Sequence, residues 1–87
     1  MREREEMENQ YKAQKVGETR WVYRGVSMTY NRDAKKYDPW RFNVRDVASP
    51  AWAANVNRVY NPFQYGATTK KRAIAKIDEM YEKGQLV

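Results

Sequence analysis

The residues that decide the fold are Trp40-Arg41-Phe42-Asn43-Val44-Arg45, in which apolar and polar side chains alternate without a break. Successive side chains of a β-strand point to opposite faces of a sheet. The alternation therefore predicts a strand over residues 40–47 with one buried side and one solvent-facing side. The apolar set that we expect to face the core is Trp40, Phe42 and Val44. The polar set that we expect to face solvent is Arg41, Asn43 and Arg45.

Another strand is predicted upstream, over residues 20–30, where residues of high β-propensity dominate. The polar connection 31–38, followed by Pro39, joins it to the strand at 40–47, and we expect the two to form a hairpin. Four residues of the upstream strand are expected to lie on the solvent-facing side, beside Arg41 and Asn43. They are Trp21, Tyr23, Ser27 and Thr29.

Two structures remain open for residues 49–62. Ser49-Pro50 is an N-cap followed by a proline in the first turn, which predicts a short helix that ends at Asn61-Pro62. The apolar residues of that helix would share one face: Trp52, Val56, Val59 and Tyr60. The alternative is a third strand over residues 58–65, which Pro62 would confine to the edge of the sheet.

The last part of the chain predicts an amphipathic helix. Thr68 or Thr69 is its expected cap, it runs to about Lys83, and Gly84 ends it, with Leu86 making the apolar contact that follows a glycine cap. The side chains that we expect this helix to bury are Ala73, Ile74, Ile77 and Tyr81.

The start of the chain predicts a charged helix over residues 2–15, because good helix formers dominate there and Gly17 is a stop signal. We therefore divide the chain into an N-terminal helical arm, 1–17, and a single binding domain, 18–87. The fold class is α+β: a small antiparallel hairpin or three-stranded sheet packed by a C-terminal amphipathic helix, with the charged helix in front.

The composition points away from an enzyme. Among the 87 residues there is no Cys and no His, which excludes disulfides, thiolate metal sites and the commonest general base. Asp33-Ala34-Lys35 matches the D-x-K element of metal-dependent nucleases, but no second acid accompanies it on a strand, and we attribute the match to chance. We expect no catalytic residue, no metal and no cofactor. With no apolar run long enough to span a membrane and no signal peptide, we expect a cytoplasmic protein, in the host cytoplasm if a phage encodes it.

The net charge of +6 lies mainly in residues 11–45, which carry nine basic and three acidic side chains. With a pI near 9.7, this favours a polyanionic partner. Arg on a solvated sheet face is also ordinary. The basic residues 70–72 suit an anion bound at the helix start, but Arg72, Lys76 and Lys83 also lie on a solvated face around Glu79, where internal pairing is the alternative. The residues that we expect to contact nucleic acid or another partner are Trp21, Tyr23, Arg24, Arg41, Asn43, Arg45, Lys70, Lys71 and Arg72.

Three stretches resemble the plant ethylene-response-factor type of DNA-binding domain: Tyr23-Arg24-Gly25-Val26, residues 40–45 and residues 66–78. That family begins with a similar Y-R-G-V strand, has a W-x-A-x-I-R-like second strand and ends in an Ala-rich helix with an Asp. The resemblance covers about half of the chain and implies that Arg24, Arg41 and Arg45 contact DNA. The longer first turn and the segment 49–62, in place of a clear third strand, depart from the family. In composition the chain is also similar to small phage proteins.

Taken together, the sequence predicts a small, basic, non-enzymatic nucleic-acid-binding accessory protein of a phage or mobile element. The alternative is a phage-encoded inhibitor that binds a host nucleoprotein such as a CRISPR effector, or a small subunit of a larger assembly. The expected partner is accordingly nucleic acid, DNA in the first place, or an acidic or nucleic-acid-binding host protein. We expect neither a membrane nor a small-molecule substrate.

Overall fold

The computed structural model describes residues 11–34, 36–56 and 63–87. Within these residues the chain forms one five-stranded antiparallel sheet and two α-helices. The strands are β1 (Gln14–Gly17), β2 (Arg20–Tyr23), β3 (Val26–Tyr30), β4 (Trp40–Asn43) and β5 (Gln64–Ala67), and the helices are α1 (Pro50–Asn55) and α2 (Lys70–Glu82). The strand order is β1-β2-β3-β4-β5, so each strand pairs with its neighbours in sequence. The α+β class and the C-terminal helix are confirmed, whereas the prediction of two or three strands is wrong.

The predicted single strand over residues 20–30 is two strands, β2 and β3, joined by a tight turn at Arg24 and Gly25. Both residues have positive φ, 50° and 82°, as a two-residue type I′ turn requires. Tyr23 pairs with Val26 across the turn, so both face the same side of the sheet. The turn thus reverses the alternation, and the expected outward orientation of Trp21 and Tyr23 is wrong: Tyr23 is buried, and Trp21 packs against the core.

The predicted N-terminal helix is not what the described residues show. Residues 1–10 lie outside the described part of the chain, and Gln14–Gly17 form strand β1 rather than the end of a helix. β1 pairs with β2 in a register that sets Gln14 opposite Val22 and Lys15 opposite Trp21. Pairing with a neighbouring strand outweighs the helix propensity of these residues, which is a weak local preference.

The segment between β4 and β5 begins earlier than predicted. β4 ends at Asn43, whose side-chain Oδ1 accepts a 2.8 Å hydrogen bond from the backbone N–H of Arg45, and a 3-10 turn follows at Arg45–Val47. Of the two alternatives for residues 49–62, the helix is found, as α1, but it ends at Asn55. The predicted positions Val59 and Tyr60 lie outside the described residues.

Helix α2 has the predicted ends. The Thr69 hydroxyl accepts a hydrogen bond from the N–H of Arg72, and Gly84 has a φ of 74° after the last turn. The N–H groups of Gly84 and Gln85 donate to the carbonyls of Tyr81 and Met80, which is the Schellman arrangement. The buried residues of the helix are Ala73, Ile77 and Met80, while Ile74 and Tyr81, both predicted to be buried, are half-buried.

The core lies between α2 and one face of the sheet. Its sheet side is apolar and consists of Tyr23, Val26, Met28, Phe42, Val44 and Phe63. Leu86 completes it, because Ala48 and Leu86 form a β-bridge that holds the last residues against the segment after β4. The opposite face of the sheet, called the outer sheet face below, carries exposed side chains such as Ser27, Arg41 and Asn43.

Candidate functional site

Two rows of side chains cross the outer sheet face from β2 to β5. The strand register places Arg20, Thr29, Arg41 and Gly66 in one row. It places Val22, Ser27, Asn43 and Gln64 in the other. Neither row contains an acidic residue, so this face combines hydroxyl, amide and guanidinium groups without a carboxylate in the ladder. Such groups are those that contact phosphates and base edges.

The two arginines of the first row lie on either side of Thr29. Neighbouring strands are about 4.8 Å apart, so the backbones at Arg20 and Arg41, two strands apart, are separated by about 10 Å. Both side chains are exposed. Among the described residues, neither guanidinium has a hydrogen bond or an ion pair. Two guanidinium groups are therefore available on this face, and each is suited to a bidentate contact with a phosphate or with the edge of a guanine base.

Asp38 borders the outer sheet face at β5. A Cβ atom built on Gly66 would lie 2.8 Å from Cβ of Asp38 and 3.4 Å from its Oδ2, so the glycine leaves room for this side chain. Arg41 is the cross-strand partner of Gly66. Asp38 thus brings a carboxylate from the loop before β4 to the β5 margin of this face, away from Arg20.

Arg20 was not predicted as a site residue, because the expected outward orientation of Trp21 places its neighbour Arg20 on the core side. The signal that would have corrected this is Arg24-Gly25, a dipeptide that ends in the residue most tolerant of positive φ. Reading a turn there reverses the alternation upstream of it and brings Arg20 beside Arg41.

Tyr23 and Arg24, both predicted contact residues, are held inside the protein instead. The hydroxyl of Tyr23 donates to Oδ1 of Asp78 at 2.8 Å, and the Arg24 guanidinium donates to the same oxygen at 3.1 Å. The guanidinium carbon lies 3.9 Å from the ring centroids of both Tyr11 and Tyr81, and the Tyr81 hydroxyl donates to the Arg24 carbonyl. This group, called the Arg24 clamp below, ties the β2–β3 turn to α2.

The Arg24 clamp also changes the acidity of Tyr23. Burial of the ring, and then its hydrogen bond to the Asp78 carboxylate, raise the pKa of Tyr23 well above its ordinary value. A hydroxyl that keeps its proton and donates to a carboxylate has a structural role. The implied contact of Arg24 with DNA is not supported by its position, because its guanidinium is already stacked and bonded within the chain.

Trp21 lies instead in a cluster on the helix side of the sheet, at the end where α2 begins. Its ring centroid is 5.0 Å from that of Trp40, which is 5.1 Å from that of Tyr30. The Nζ atoms of Lys15 and Lys70 lie 5.4 Å and 5.1 Å from the Trp21 centroid. All three rings are half-buried. These five residues are called the aromatic–lysine cluster.

The remaining predicted contact residues are scattered. Lys71 and Arg72 are exposed in the first turn of α2, which contains no acid, and they continue the basic charge of the aromatic–lysine cluster. Arg45 lies near the opposite end of the sheet, with its guanidinium carbon 5.4 Å from the ring centroid of Phe63. The structure thus brings together Arg41 with Asn43, and Trp21 with Lys70. The Arg45 backbone bonds to the Asn43 side chain, but its guanidinium lies beside the Phe63 ring.

Two other kinds of feature are absent from the described part of the chain: a cluster of metal-ligating side chains and a membrane-spanning helix. No group of three or more acidic residues there is arranged to hold a metal ion. None of the helices in that part has the length and apolar character needed to cross a membrane. Asp33, of the D-x-K match, lies in a 3-10 turn where its N–H donates to the Asn31 side chain, while Lys35 is outside the described residues.

Comparison with protein families, with curated proteins and with solved structures found no match to this chain, and the resemblance to the ethylene-response-factor type of domain stays a prediction.

Proposed function

We propose that this protein is a small, non-enzymatic nucleic-acid-binding protein that uses its outer sheet face. The observation that carries the proposal is the pair of exposed guanidinium groups at Arg20 and Arg41, which flank Thr29 and have no partner among the described residues. A buried or paired arginine contributes to folding. An exposed arginine without a partner inside the protein is available to bind an external anion.

The neighbouring side chains fit the same partner. Ser27 and Thr29 offer hydroxyls on β3, between the two arginines, and Asn43 offers an amide on the same strand as Arg41. The hydroxyls donate to phosphate oxygens and base edges, and so does the Asn43 amide N–H, since the Oδ1 of Asn43 already accepts the Arg45 N–H. The net charge of +6 adds long-range attraction to a polyanion. We place the protein among the accessory proteins of a phage or mobile element on the basis of its size and composition.

The test is fluorescence anisotropy with labelled duplex and single-stranded oligonucleotides across a salt series. We expect micromolar or tighter binding at low salt, with affinity falling steeply as salt rises. Replacing Arg20 and Arg41 together with Ala should weaken binding by about 1–3 kcal/mol for each base-specific contact. If both arginines touch only phosphates, the salt slope should decrease by about two.

The matched control removes the same charge elsewhere. Arg32→Ala with Arg45→Ala takes two exposed arginines from 3-10 turns outside the strands and should retain most of the affinity. Equal losses in the two double variants would show that only net charge matters and would reject this face. Absence of binding to any oligonucleotide at low salt would reject the function. Capture of an acidic or nucleic-acid-binding protein from nuclease-treated lysate would then support the protein-inhibitor alternative.

A further inference from the structure

We infer that the aromatic–lysine cluster is a second nucleic-acid site, in which an unpaired base stacks on Trp21 or Trp40 while Lys15 and Lys70 bind its phosphate. The inference rests on the proposed function and deepens it, because it names the partner as a nucleic acid with single-stranded residues. The outer sheet face and this cluster are on opposite sides of the sheet, so the two sites are tested separately.

The cluster covers a part of the sheet that α2 leaves open. α2 begins at Lys70 and buries its apolar side chains farther along, over β4 and β5. Trp21 is the cross-strand partner of Met28, which is fully buried, and Trp40 packs against Trp21. One side of each indole thus packs against the hydrophobic core. Both remain half-buried, so part of their surface is open to solvent.

The positive charges beside these rings have no acidic partner among the described residues. Lys15 and Lys70 both lie close to the Trp21 ring, which places their ammonium groups within roughly 10 Å of each other, the Debye length in about 0.1 M salt. Neither makes an ion pair in the described part of the chain. Lys71 and Arg72 follow without an acid in the first turn of α2. The cluster is complementary to an anion that also carries a flat apolar surface.

A nucleotide of a single strand has this chemistry. It joins a planar base, with a π-face for stacking, to a phosphate through one sugar, so a base on an indole brings a phosphate next to the lysines. Bases in a duplex are already stacked on each other and cannot reach the ring without being extruded. Stacking on aromatic side chains beside a basic groove is how proteins hold single strands without reading sequence.

The test uses the emission of the indoles themselves. The chain has three tryptophans. Trp52, in α1, packs on Phe63 away from the cluster, so the emission of the Trp52→Phe variant comes only from Trp21 and Trp40. We expect a thymidine oligonucleotide of about ten residues to quench this emission and inorganic polyphosphate to leave it almost unchanged. A blunt duplex of the same length should quench weakly, although it binds the outer sheet face.

Affinity measurements on variants complete the test. Trp21→Leu and Trp40→Leu should each weaken binding of the single strand by roughly 5- to 150-fold, the range for loss of one stacked base, with little change for the duplex. Trp40→Phe, which keeps a ring, should restore much of the loss, and Trp52→Leu is the matched control. If a leucine variant does not fold, as judged by circular dichroism, Lys15→Gln with Lys70→Gln serves instead and should lower both affinity and salt slope.

Folded Trp21→Leu and Trp40→Leu variants that bind the single strand like the unchanged protein would overturn the inference, as would equal quenching by polyphosphate. In that case duplex binding that still depends on Arg20 and Arg41 would leave the proposed function standing. Failure to bind any nucleic acid would overturn both. Single-strand binding that depends on the tryptophans but not on Arg20 and Arg41 would support this inference and reject the outer sheet face.

Discussion

Asp78 connects α2 to the β2–β3 turn, and its replacement by Ala tests the Arg24 clamp. The carboxylate accepts hydrogen bonds from Tyr23, a residue that is 1% exposed, and from Arg24, whose side chain is 20% exposed. Asp78→Ala leaves the buried Tyr23 hydroxyl without its acceptor, at a cost of about 1–3 kcal/mol. The ion pair adds at most about 1 kcal/mol, because Asp78 itself is 37% exposed and water screens it.

A double-mutant cycle separates these two contributions. Tyr23→Phe removes the donor and keeps the ring, so it should cost about 1 kcal/mol. In that background Asp78→Ala no longer leaves an unpaired hydroxyl, and only the screened ion pair is lost. The coupling free energy between the two positions should therefore equal the cost of the unpaired hydroxyl, about 1–3 kcal/mol.

The assay is urea denaturation followed by tryptophan emission, with the melting temperature as a second measure. For a domain of this size 1 kcal/mol corresponds to about 4–8 °C. Glu82→Ala, which removes an exposed carboxylate from the same helix, is the control and should change the urea midpoint little. If Asp78→Ala costs the same with and without the Tyr23 hydroxyl, the hydrogen bond to Asp78 does not stabilise the fold and the reasoning is refuted.

Two further predictions concern stability. Burial raises the pKa of Tyr23 and of Tyr65, so as the pH rises these tyrosines lose their protons in the unfolded chain before they do so in the folded chain. The free energy of unfolding should therefore be unaffected by them below about pH 10 and should fall above it, by up to about 1.4 kcal/mol per pH unit for Tyr23. Urea midpoints between pH 8 and 11 check this, and an unchanged slope in Tyr23→Phe would contradict it. Gly25→Ala should destabilise the protein by about 1–2 kcal/mol, because Gly25 has positive φ. Gly84 also has positive φ, but Gly84→Ala should cost less, because a Cβ at Gly25 would lie 3.2 Å from Val47 and one at Gly84 would meet nothing. Equal thermal shifts in the two variants would show that the Val47 contact is relieved without cost.

The elements that the sequence predicted well are those whose signals are local. Alternation from Trp40 to Val44 identified β4 and its two faces, and the threonine cap and terminal glycine identified both ends of α2. Each signal needs only neighbouring residues to be interpreted. β1 and β5 carry no such signal, because each has four residues and its extended structure depends on pairing with a neighbouring strand.

The candidate site was predicted only in part for the same reason. The position of Arg41 and Asn43 follows from alternation within one strand. The position of Arg20 depends on a turn at Arg24, a residue type that seldom adopts positive φ. The contact of Lys70 with Trp21 joins α2 to β2, and no periodicity in either segment predicts it.

The order of the strands along the sheet also bears on how the chain reaches its folded state. Because each strand lies beside its predecessor, β1, β2, β3 and β4 can associate through connections no longer than residues 31–39, and the entropy lost in closing such loops is small. Docking of α2 is different: the Tyr23–Asp78 hydrogen bond joins residues 55 positions apart. The Arg24 clamp thus needs a closure much longer than the connections among β1 to β4, and we expect it to form after β2 and β3 have paired.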